Sequence, residues 1–131
     1  MSYPDVVLAV AGAHLSGQPL NAQLTDRGAE LVGPARTAAE YRLYLLPTTP
    51  PKPGVVRVPE DGAALELELW RLSAAAFGDF VAALPSPMAI GSVLLDDGSE
   101  VRGFLVEPFA VDGAEDITRY GGWRAFRAAR G

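Results

Sequence analysis

Leu65-Glu66-Leu67-Glu68-Leu69-Trp70 alternates between leucine and a larger or charged residue without a break. Successive side chains of a β-strand point to opposite faces, so Leu65, Leu67 and Leu69 share one face and Glu66, Glu68 and Trp70 the other. The stretch predicts a strand over 64–70, with the leucines toward a core and Glu66 and Glu68 on a solvated side. Upstream, the continuous apolar run Val6-Val7-Leu8-Ala9-Val10-Ala11 reads as a buried strand that ends at Gly12. Tyr41-Arg42-Leu43-Tyr44-Leu45-Leu46 reads as a second, partly alternating strand, and residues 55–58 as a short third.

Downstream, Ser73 is a suitable N-cap for a helix over 74–83. Phe77, Phe80, Val81 and Leu84 recur at three- and four-residue spacing and make its buried face. Leu84-Pro85-Ser86-Pro87 ends it. Residues 92–95 and 100–106 flank Asp96-Asp97-Gly98-Ser99, and Asp-Gly between two apolar runs signals a hairpin. A short helix over 123–129 closes the chain, anchored by Trp123 and Phe126. Gly33-Pro34 reads as a breaker, and 20–25 as one helical turn. Residues 47–54 hold four prolines and read as a stiff loop, since proline donates no hydrogen bond to a helix or a central strand. About six strands, hairpin links and one well-formed helix give an α+β class with a curled or barrel-like sheet, with none of the βαβ alternation of a dinucleotide-binding fold.

The bulk numbers narrow the function. A chain of 131 residues, 49% hydrophobic, is one domain over 1–131 with room for a single core. Its net charge of −5 lacks the basic footprint of a nucleic-acid binder. It has no cysteine, which removes disulfides, thiolate metal sites and a cysteine nucleophile. With one histidine, a zinc site is poor. No Gly-x-Ser-x-Gly elbow, Walker loop or dinucleotide glycine pattern occurs. The run over 6–11 is too short for a membrane span or a signal sequence, so the expectation is a cytoplasmic protein that meets neither membrane nor nucleic acid and needs no metal or cofactor.

The likeliest small-molecule site on these grounds is the loop Gly12-Ala13-His14-Leu15-Ser16-Gly17-Gln18-Pro19-Leu20-Asn21. His14, the only histidine, follows a buried strand and reads either as a proton donor or as a solvated turn residue. Leu15, Ser16, Gly17, Gln18 and Asn21 are candidate ligand contacts, the glycine through its backbone N–H. Lys52, the only lysine, is pinned in Pro51-Lys52-Pro53-Gly54 and suits capture of a carboxylate. Tyr44 is a further candidate. Arg124, after Gly121-Gly122-Trp123, is placed to contact a carboxylate near a helix start.

The 12–21 loop, Tyr41-Arg42-Leu43-Tyr44, Pro51-Lys52-Pro53-Gly54 and Tyr120-Gly121-Gly122-Trp123-Arg124 together resemble, in order and spacing and over nearly the whole chain, the C-terminal domain of allophanate hydrolase. The resemblance implies a gamma-glutamylcyclotransferase-like fold, a small mixed β-barrel with flanking helices. It implies that His14 is the catalytic histidine in decarboxylation of N-carboxycarbamate, a small carboxylated nitrogen compound made by an amidase. That chemistry needs no cofactor. The amidase half is absent from this sequence, so the chain would act in trans with an amidase subunit. The alternatives are a non-catalytic metabolite-binding module and a true cyclotransferase. Cyclotransferase relatives carry a glutamate acid/base in the segment that falls here on Leu84-Pro85-Ser86-Pro87-Met88, which holds no carboxylate, so cyclisation ranks last.

Overall fold

The structure, a computed structural model, describes residues 3–130. The elements run β1 (Val6–Val10), α1 (Ala22–Thr25), β2 (Glu30–Arg36), β3 (Tyr41–Leu46), β4 (Lys52–Arg57), β5 (Glu66–Leu72), α2 (Ala74–Ala82), β6 (Met88–Leu94), β7 (Glu100–Val106), β8 (Glu115–Asp116) and α3 (Trp123–Arg130). A five-stranded sheet has the order β2-β5-β1-β7-β6 and a three-stranded sheet the order β4-β3-β8. The class is α+β, as expected. The sheets do not close into a barrel; the isolated bridge Thr37↔Leu95 links residues just beyond β2 and β6, the two edges of the larger sheet, and Tyr41↔Ala63 ties β3 of the smaller sheet to the residues that lead into β5. The larger sheet is mixed, because β1 runs antiparallel to β5 and parallel to β7.

The core fills from both sheets and from α2 and α3. Leu8, Val10, Leu24, Tyr41, Leu43, Leu65, Ile117, Phe80, Trp123 and Phe126 are all buried. Buried Tyr41 keeps a partner for its hydroxyl, which accepts from the Leu94 amide at 2.9 Å, so no donor or acceptor is orphaned there. At the α2 start the Ser73 hydroxyl accepts from the Ala76 amide at 3.1 Å, the expected N-cap. The 96–99 hairpin also forms as expected, with Gly98 at φ +88° and Leu94 opposite Glu100.

Three strand expectations change. Gly33-Pro34 does not interrupt the chain but sits inside β2. This strand is at the edge of its sheet, where a missing proline N–H costs no ladder bond, and its register shifts between Leu31 and Gly33. The proline-rich loop ends at Pro51, because Lys52-Pro53-Gly54 already belongs to β4, again an edge strand. The third concerns β5. Leu65 and Leu67 are buried as expected and Leu69 is half-buried, but on the other face Glu68 and Trp70 are buried as well, at 8% and 5% exposure, and of the three residues Glu66, Glu68 and Trp70 only Glu66 is exposed. The face that carries Glu68 is covered by the 12–21 loop, through Ser16, and by α3, through Arg124.

That loop leaves β1 from the middle of the larger sheet and is held by its own turns: Leu15 N–H donates to Gly12 O at 2.9 Å, and Leu20 N–H to Ala13 O at 2.8 Å. Gly12 admits β4 beside it, since a Cβ at Gly12 would overlap the Pro53 ring. This close approach sets Lys52 beside the residues that precede His14.

Candidate functional site

The loop turns His14 inward. The imidazole is 6% exposed. It stacks on Phe104 of β7, with ring centroids 4.9 Å apart, and meets the Phe80 ring of α2 edge-on at 5.3 Å. His14 Nε2 lies 2.8 Å from Gln23 Oε1. With the amide oxygen as acceptor, Nε2 carries the hydrogen and Nδ1 the lone pair. Burial is the main influence on the ring and holds it below its ordinary value of 6.5. Lys52 and Arg27 push the same way, and the Gln23 bond opposes them. His14 is therefore neutral at neutral pH. The solvated turn residue of the simpler sequence reading is not what the fold makes.

Beside this ring is a cleft of about 260 Å³ lined by His14, Leu20, Gln23, Arg27, Lys52, Phe80, Ala83, Leu84, Pro85 and Met88. It is smaller than the roughly 300–1,000 Å³ of pockets that hold drug-sized ligands. Its charged lining residues are Arg27 and Lys52, with no carboxylate among them. Arg27 is steered by Asp79, whose carboxylate accepts from its Nε at 2.8 Å, while a second nitrogen donates to Gln23 O at 2.8 Å. A small adjoining pocket touches Gly12, Ala13, His14, Lys52, Pro53 and Phe104. Leu84, Pro85 and Met88 line the same cleft as His14 and bring apolar side chains to it.

The other sequence candidates are distributed differently. Leu15, the next residue along, lines a second cleft of about 560 Å³ on the far side of the loop, with Arg36, Glu66, Glu68, Asp96, Trp123 and Arg124. Ser16 turns to that side too: its amide donates to Glu68 Oε1 and its hydroxyl to Glu68 Oε2, each at 2.7 Å. Asn21 serves the loop itself, since its side-chain amide donates to His14 O at 2.8 Å. Gly17 occupies an exposed turn at φ +78°, and half-buried Gln18 follows it. Neither lines a cleft with His14, nor does Tyr44, which sits on β3 opposite Gly54 and Asp116. Of the sequence candidates, His14 and Lys52 meet in one cleft.

Gln23, Arg27 and Glu68 were missed. Gln23 lies in the four-residue helix α1 and Arg27 two residues beyond its end, and so brief a helix carries no pattern. Arg124 does contact a carboxylate, but that carboxylate is Glu68 of the protein, at 3.1 Å. Among the described residues no three histidine, aspartate or glutamate side chains gather to hold a metal ion, and no helix is long and apolar enough to cross a membrane.

Residues 6–128 match the sequence family described as the allophanate hydrolase C-terminal domain. The urea amidolyase of Lachancea kluyveri is 43% identical over an alignment of 127 positions that covers 93% of this chain and 7% of that protein. The crystal structure of Kluyveromyces lactis allophanate hydrolase superposes with a TM-score of 0.93 at 39% identity, over 98% of this chain and 22% of that one. A uropathogenic E. coli-specific protein superposes at 0.89 and 36% identity over 96% of this chain and 98% of its own, so this architecture also occurs as a chain of about this length. The chain thus spans a small part of the curated relative it matches and nearly all of one solved relative. With the match running from β1 to the last turns of α3, the chain belongs to the allophanate hydrolase C-terminal domain family.

Proposed function

We propose that this domain binds a small dicarboxylated nitrogen compound of the N-carboxycarbamate type in the His14 cleft and decarboxylates it in the cytoplasm, downstream of an amidase in urea breakdown. The observation that carries the reading is the chemistry of the cleft: two cations, one buried imidazole and no carboxylate within a space of metabolite size. The names of the relatives supply the rest, since both are enzymes of urea or allophanate breakdown in which this domain is one part.

The step balances without a cofactor. The C–N bond to the departing carboxylate breaks and its electron pair stays on nitrogen. Nitrogen takes one proton, CO₂ leaves and carbamate remains. Lys52 and Arg27 hold carboxylate oxygens through charge-assisted hydrogen bonds. His14 supplies the proton. Its lowered proton affinity makes the imidazolium a stronger acid, and the anion entering the cleft offsets the burial that keeps the ring neutral. The ring is fixed by Phe80 and Phe104, so its orientation is set before the ligand arrives. Without a carboxylate lining the cleft, glutamyl cyclisation has no base there.

The test supplies the protein with the product stream of an amidase acting on allophanate and follows CO₂ release. Wild type accelerates release, and His14→Ala loses about a hundredfold of that acceleration. Equal, slow release by the two proteins overturns the proposal.

A further inference from the structure

Among the described residues Glu68 is the only buried carboxylate, and the reaction above does not use it. It stands on β5 opposite Val10, the last residue of β1 before the loop. Both of its oxygens are occupied. Oε1 accepts from Ser16 N–H at 2.7 Å and Trp70 Nε1–H at 3.2 Å. Oε2 accepts from the Ser16 hydroxyl at 2.7 Å and from Arg124 at 3.1 Å. The same Arg124 nitrogen also donates to Ser16 O at 2.6 Å. The amide, carbonyl and hydroxyl of Ser16 are thus all fixed by Glu68 and Arg124. On the other side the His14 carbonyl is fixed by Asn21. Burial pushes the Glu68 carboxyl up, but Ser16, Trp70 and Arg124 outweigh it and leave the group below its ordinary range, ionised at neutral pH. An acceptor so saturated and so weakly basic is not a base for Ser16; it is an anchor.

We infer that Glu68 and Arg124 are positioning residues: by clamping Ser16 they hold the loop so that His14 stays between Phe80 and Phe104 and faces its cleft, while Leu15 is turned to the opposite side. The inference rests on the assignment of the reaction to His14 only for its effect on rate. Its effect on the imidazole is independent of that assignment. Arg124 is on α3, more than a hundred residues along the chain from Ser16, so the C-terminal helix takes part in shaping a site built on the first loop.

Because the chain has one histidine, a proton NMR titration reads His14 alone. In Glu68→Gln the anchor loses its charge and the imidazole gains water. Its titration midpoint rises toward 6.5, and kcat falls about tenfold while KM stays within about twofold. Arg124→Met, a change at a half-exposed residue that leaves the core intact, moves both readouts in the same direction. Arg124→Lys restores part of each, since one nitrogen makes every contact of Arg124 to Ser16 and Glu68. Glu66→Gln, exposed on the same strand, changes neither. A folded Glu68→Gln or Arg124→Met protein with the wild-type His14 midpoint overturns the clamp. If wild type shows no decarboxylation at all, the functional proposal fails, and the titration still decides the clamp.

Discussion

Two clefts flank one loop, and they differ in what their polar groups are already doing. In the larger, about 560 Å³, the central carboxylate of Glu68 is saturated by Ser16, Trp70 and Arg124, and Arg36 lies 3.8 Å from Glu66. In the smaller, about 260 Å³, Lys52 makes no ion pair among the described residues, and the imidazole lies below its ordinary range. Size alone favours the first cleft. Chemistry favours the second, because a ligand is bound by groups whose hydrogen-bonding and charge remain to be satisfied. Under the proposed function the larger cleft is the back of the site, where side chains hold the loop from behind, and the smaller cleft is the one that takes the ligand.

The comparison is broken most severely by removing the anchor altogether. Glu68→Ala leaves Arg124 without its carboxylate and the Ser16 amide without an acceptor in a covered place. It should cost about 3 kcal/mol of stability, against less than about 0.5 for Glu66→Ala on the exposed side of the same strand, measured by urea denaturation of both. Similar losses for the two would place Glu68 on a solvated face, as the alternation alone suggested. Lys52→Met tests the ligand side: KM for the carboxylated substrate rises about tenfold with kcat little changed, because a charge that binds ground and transition states alike is lost. A change in kcat instead would make Lys52 part of the proton-transfer machinery.

The smallest effect is in the dependence of stability on pH. The His14 value is lowered in the folded protein, so between that value and 6.5 the unfolded chain binds the extra proton. The contribution of His14 is complete above pH 6.5 and is lost as pH falls through the window. Glu68, lowered in its turn, contributes above its ordinary 4.5 and loses that contribution at more acid pH. Thermal melts of wild type should therefore fall between pH 7 and pH 5, and His14→Phe should flatten that part of the curve. A wild-type melting temperature constant over this range would contradict a buried neutral imidazole.

What was legible in the sequence was what local physics settles. The leucine alternation of β5, the apolar run of β1, the Asp97-Gly98 turn and the Ser73 cap each declare themselves within a few residues. The two strands that were misjudged both contain proline, which is costly in a central strand and harmless at an edge, and edge position is a property of the assembled sheet. Glu68 was misjudged for a related reason. Alternation tells which residues share a face but not whether a second layer lies over it, and the layer here comes from Ser16 and Arg124, distant in sequence on either side. The same holds for the candidate site. His14 and Lys52 stood out as single occurrences of their kinds, whereas Gln23 and Arg27 joined them only when α1 folded against the loop. The resemblance to allophanate hydrolase supplied the chemistry that composition could not.

The central question is which of the two clefts takes a small dicarboxylate. A crystal structure of the protein with malonate, which replaces the central nitrogen of N-carboxycarbamate by a methylene, asks this directly. The expected result is malonate in the smaller cleft, with one carboxylate within hydrogen-bond distance of Lys52 and the other within reach of His14. Malonate in the larger cleft against Arg36 and Arg124, with the His14 cleft empty at the same concentration, would contradict it.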